Sequence, residues 1–116
     1  MKLYAFDVDE TLEISGGPVK FIDLVRLREQ GHILALCGNW AVVTQGVHGW
    51  DMLFSAVGPL GCTKTEFLQQ LRKYVPATEY FFIGNDHSRG SYSSPDDADH
   101  VKGTGFEFIS ELDFKI

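Results

Sequence analysis

Short apolar runs that break off into polar turns, separated each time by an amphipathic stretch, are what most restricts this chain. Leu3–Phe6 runs into Asp7-Val8-Asp9, His32–Cys37 into Gly38-Asn39, and Tyr80–Ile83 into Gly84-Asn85-Asp86. Such runs read as strands covered on both faces, because no polar alternation marks a solvent side.

Between the runs, Pro18 suits the first turn of a helix in which Phe21, Ile22 and Val25 share a face. Leu24 and Leu27 widen that face, and Gly31 is its expected stop. Trp40–His48 reads as a weaker helix and Met52–Val57 as a third strand. Thr63 and Glu66 spell a capping box. The helix it opens should place Phe67, Leu68, Leu71, Tyr74 and Val75 on one face and end at Pro76. After a polar loop from His87 to Ser93, Ser94-Pro95 reads as a cap and first helical position, with Asp96 and Asp97 in the first turn. Gly105–Ile109 gives a fifth strand, and Ser110–Ile116 a closing turn. Alternating strands and helices predict a mostly parallel sheet with helices on both faces. The polar turns all follow strands, so they should meet along one edge. The expectation is a single α/β domain over residues 1–116 with one site.

Composition narrows the function. A net charge of −6 disfavours a broad nucleic-acid footprint and agrees better with a small site that recruits a divalent cation. No apolar run approaches membrane-spanning length, and Met1-Lys2-Leu3 leads straight into a strand, so no membrane partner and a cytoplasmic setting are expected. Cys37 and Cys62 show no metal-like spacing and read as reduced, partly buried thiols.

Asp7, Asp9 and Thr11 occupy alternate positions at the end of the first run, so both carboxylates can face the same way. Ligands of open α/β sheets bind at that end. Two adjacent carboxylates repel, and need a cation, a proton or strong donors to persist. Asp7 and Asp86, from two strand ends, suit Mg²⁺. Lys64 opens a helix, where its ammonium and the helix amides can reach an oxyanion. Gly38 permits close backbone approach, so its N–H and that of Asn39 can cradle one. A carboxylate nucleophile, a second carboxylate, a metal and a lysine together describe phosphoryl transfer.

The stretch Asp7-Val8-Asp9-Glu10-Thr11-Leu12 resembles the first motif, DxDx(T/V), of the haloacid dehalogenase superfamily. The later strand end, the helix-opening lysine and the acidic loop follow in the superfamily's order, so the resemblance spans nearly the whole chain. It implies a three-layer Rossmann-like domain with strand order 5-4-1-2-3. It implies Asp7 as the nucleophile that forms an aspartyl-phosphate, Asp9 as the acid and then the base, and Lys64 as the charge-offsetting cation. Mg²⁺ would be held by Asp7, the Asp9 carbonyl and Asp86. Val8, Thr11, Cys37, Gly38 and Asn39 would bind the phosphoryl group. Cys37 stands where the superfamily usually has Ser or Thr, and a thiol donates weakly. Glu10 stands where glycine is common, and Asp-Glu-Thr-Leu is similar to the version in small phosphatases resembling RNA polymerase C-terminal-domain phosphatases. The last forty residues are loosely similar to polynucleotide 3′-phosphatases.

Only Leu12–Gly17 separates the first motif from a helix, leaving no room for a cap domain. A capless site is open to bulky phosphorylated partners such as protein or nucleic-acid ends, or takes a lid from a neighbour in a homo-oligomer. Plainer readings stand beside these. Asp96 and Asp97 suit helix-start charges better than ligands. His87 and His100 read as exposed loop residues, with His87 nearer the site. Arg89 is a lesser candidate for substrate phosphate, and Trp40 and Trp50 are more often core. The competing function is a weakly active or inactive relative kept as a binding module, favoured by Cys37.

Overall fold

The computed structural model describes residues 1–85 and 97–115, with only the backbone of Asp97. Five strands form one wholly parallel sheet: β1 (Lys2–Phe6), β2 (Ile33–Cys37), β3 (Ala56–Gly58), β4 (Glu79–Gly84) and β5 (Glu107–Ser110). Their spatial order is β3-β2-β1-β4-β5, which puts β1 in the centre as its unbroken apolar run requires.

Alternation along the strands divides the core into two layers. Leu3, Ala5, Ala35, Cys37, Tyr80 and Phe82 face α4 (Lys64–Tyr74) and α5 (Asp97–Val101), meeting Phe67, Leu68, Leu71 and Val101. Phe6, Leu34, Leu36 and Ile83 point the other way. There they meet Leu24 and Leu27 of α1 (Phe21–Glu29), Val43 of α2 (Ala41–Gly46), and Phe54 just after α3 (Trp50–Leu53). The result is a three-layer, Rossmann-like α/β fold with helices on both faces of the sheet. Among the described residues, no helix is long and apolar enough to cross a membrane.

Local signals explain two of the helix boundaries. Thr63 accepts from the Glu66 amide while the Glu66 carboxylate accepts from the Thr63 amide, so the capping box forms as the sequence spells it. Gly31, past the end of α1, takes φ +88°, a conformation that costs a residue with a Cβ. Four details depart from the sequence reading. Pro18 precedes α1 rather than opening it, because Val19 first forms a bridge with Leu12 beside a 3₁₀ turn at Glu13–Ser15. Ile22 is exposed, since it lies roughly 200° around the helix from the inward-facing Leu24. Tyr74 is exposed as well, and Val75 makes the inner contact at that end of α4. Met52–Val57 is not one strand. Trp50 and Leu53 both pack inward, which a helical turn allows and a strand, with its alternating sides, does not. β3 therefore begins only at Ala56.

Candidate active site

Parallel register brings three polar strand ends together. Phe6 is paired with Leu36 on one side and Ile83 on the other, so the residues that follow emerge side by side. The Asp7 amide continues the β1–β4 ladder by donating to Ile83 O at 2.9 Å. The Gly38 amide does the same toward Gly58 O, also at 2.9 Å, so the sheet takes up the N–H that the sequence offered to an oxyanion, and what Gly38 gives the site is room.

Asp7 is the floor of the site, a residue only 2% exposed overall. Its Oδ1 receives the Lys64 ammonium at 3.1 Å, and its Oδ2 the Asn85 amide nitrogen at 3.3 Å. A buried carboxylate persists only when its oxygens meet donors, and charged donors serve best. Lys64 is the first residue of α4, so the cap that starts the helix also aims the ammonium. Gly38 is required on steric grounds: a Cβ there would lie 2.3 Å from Asp7 Oδ1.

Asp9 stands beside Asp7 on the turn, half-buried, and Asn39 Nδ2 approaches its Oδ1 at 3.4 Å. The next residue, Glu10, takes φ +63°. That left-handed backbone costs a residue with a side chain roughly 1–2 kcal/mol. A glycine, the residue of the resembling motif at that position, takes it without that cost.

Asp7, Asp9, Gly38, Asn39 and Lys64 line one cleft of about 310 Å³ together with Pro59 and His100. Pro59 is held by the Trp40 indole N–H, which donates to its carbonyl at 3.1 Å; Trp40 and Trp50 otherwise pack against the core, as expected. A larger hollow of about 410 Å³ along Thr44–Asp51 lacks the facing carboxylate and ammonium.

Other sequence-predicted residues are placed differently. Cys37 is fully buried, with its side chain in the apolar layer under α4. Thr11 is equally buried, and its hydroxyl donates to Glu111 Oε2 at 2.8 Å, away from the cleft. Val8 is a core side chain, so what it offers the site is its backbone. Asp86, His87, Arg89 and Asp96 lie outside the described residues, as does the side chain of Asp97. Two neighbours of the site were not among the residues singled out for it. Asn85 directly follows β4, and the pairing of β4 with β1 is what brings its amide to Asp7. His100, read as an exposed loop residue, sits instead on α5 and is half-buried.

Among the described residues no three His, Cys, Asp or Glu side chains group as a metal site. Two hard carboxylates at a cleft are nonetheless the kind of donor set Mg²⁺ uses, since it keeps several waters and binds through one or two carboxylates plus phosphate. In chemical terms, the arrangement offers a buried carboxylate at a cleft, a second carboxylate lining the same cleft, and a cation on the first. Comparison of the chain with protein families, with curated proteins and with solved structures finds no match.

Proposed function

We propose that the chain is a phosphomonoester hydrolase of the haloacid dehalogenase type, Mg²⁺-dependent and capless. The observation that carries the reading is Asp7. It is a nearly fully buried carboxylate at the carboxyl end of the central strand, held between Lys64 and Asn85 and facing the cleft that Asp9 also lines.

In this reading an Asp7 oxygen attacks phosphorus and forms an aspartyl-phosphate as the bond to the leaving oxygen breaks. Asp9 gives its proton to that oxygen, then takes one from the water that hydrolyses the intermediate. Lys64 offsets the charge that would otherwise repel a phosphate dianion from Asp7. Asp7, the Asp9 carbonyl and Asp86 would hold Mg²⁺, which would supply positive charge to the phosphoryl group. The short connector after the first motif leaves no room there for a cap, which suits a macromolecular phosphorylated substrate or a lid from a second copy. The setting we infer is cytoplasmic.

The test is turnover of phenyl phosphate with and without Mg²⁺. Asp7→Asn should abolish it, because an amide is not a nucleophile toward phosphorus. Asp9→Asn should cost on the order of 10²–10⁴-fold. Undiminished hydrolysis by purified Asp7→Asn sinks the covalent mechanism. One observation favours a second reading, a binding module with little turnover: neither Cys37 nor Thr11 presents a donor to the cleft. That reading predicts phosphate binding by the wild type with no Mg²⁺-dependent turnover.

A further inference from the structure

Phosphoryl groups carry up to two charges and several acceptor oxygens, so a site for one needs donors beyond a single lysine. The side-chain donors expected from the sequence are mostly committed elsewhere. The Cys37 side chain is buried in the apolar layer, and the Thr11 hydroxyl is spent on Glu111. Asn39 Nδ2 faces Asp9, and the Lys64 ammonium faces Asp7. Among the described residues one side-chain donor lining the cleft remains: the His100 imidazole, which makes no hydrogen bond there.

His100 is also firmly placed. Its backbone carbonyl accepts from the Thr65 hydroxyl at 2.8 Å, and Thr65 directly follows Lys64. That bond ties α5 to the first turn of α4, so the imidazole and the ammonium rise from joined elements and line the same cleft. In every protonation state an imidazole has at least one N–H to donate.

We propose that His100 is a substrate-binding residue of this cleft, donating a hydrogen bond to the phosphoryl group in place of the donors that Cys37 and Thr11 do not present. The assignment rests on the phosphoryl-transfer reading and names a residue outside the first-motif set. It locates recognition on α5 and pairs His100 with Lys64 among the residues that line the cleft.

The experiment titrates the full chain with phenyl phosphate and with inorganic phosphate by calorimetry, and measures phenyl phosphate turnover in parallel. The variants are His100→Ala, His100→Phe and His100→Gln, with Asp7→Asn as reference. Loss of a hydrogen bond to a charged group should weaken both ligands and raise KM by about ten- to a hundredfold in the Ala and Phe variants, with kcat little changed. His100→Gln keeps an N–H donor and should recover most of the affinity. The Thr65 bond goes to a backbone carbonyl that all three variants retain, so their melting temperatures should stay together. Wild-type affinity in His100→Phe overturns the assignment, and so does a fall in kcat with KM and both affinities unchanged. If Asp7→Asn is inactive while His100→Phe matches wild type, only the assignment of His100 fails. If the wild type binds neither ligand, the phosphoryl-transfer reading fails and this assignment goes with it.

Discussion

Two lysine–carboxylate pairs sit at opposite ends of the sheet, and they differ in everything but their chemistry. At the amino end, Lys2 and Glu79 open the paired strands β1 and β4 and meet at 3.5 Å, with their side chains 42% and 53% exposed. At the carboxyl end, Lys64 and Asp7 meet at 3.1 Å, 19% and 3% exposed. The first pair is what solvent tolerates anywhere on a surface. The second has given up most of its hydration, and a dry carboxylate is a net liability unless something offsets it. Buried charge kept at a strand end that opens on a cleft therefore points to chemistry, whereas exposed charge at the other end points to solubility.

Lys64→Met breaks that comparison most directly. It leaves the buried Asp7 carboxylate without its ammonium, and should cost about 3–5 kcal/mol of stability, read by urea denaturation at neutral pH. A loss no larger than that of a surface pair, under about 1 kcal/mol, removes the distinction drawn between the two ends.

The amino end has its own titrating group. His32 Nδ1 accepts from the Lys2 amide at 3.1 Å, and the Tyr4 ring meets the imidazole edge-on, with centroids 5.6 Å apart. Its pKa is lowered from 6.5 by loss of hydration first, then by the positive N-terminus and Lys2. A group that binds its proton less readily when folded stabilises the fold above its unfolded pKa. That contribution is lost as pH falls from about 6.5 through the depressed folded value. Stability should decline over that window. The decline should be shallower in His32→Asn, which keeps an acceptor but does not titrate. Matching slopes in the two proteins would assign the acid sensitivity to the carboxyl end instead.

The smallest effect is expected from Glu79→Gln, which removes the exposed pair and should change stability by no more than about 1 kcal/mol, a difference that added salt erases. A larger, salt-resistant loss would mean the amino end also carries structural charge.

Much of this arrangement was legible in the chain. The central place of β1 follows from an apolar run that needs cover on both faces, and α4 follows from a capping box whose two hydrogen bonds form as spelled. Asp7, Asp9, Gly38, Asn39 and Lys64 were readable as site residues because each lies beside the end of a predicted strand or the start of a predicted helix, and all five line the cleft. Local pattern determines that much, because strand ends and helix starts are local events. It does not determine register or the way a side chain turns. Thr11 has the right spacing, yet its hydroxyl turns to Glu111, a hundred residues away in sequence, and no local signal carries that pairing. Cys37 sits at the right strand end with the wrong parity, since alternation sends its side chain into the layer under α4. Asn85 and His100 reached the site only through the β1–β4 pairing and the packing of α5 on α4. The sequence by itself therefore determined most of the elements, though not the Trp50–Leu53 turn, together with the sheet edge and the carboxylate at its centre. Which donors surround that carboxylate was decided by contacts between distant segments, because burial and hydrogen bonding are satisfied globally rather than residue by residue.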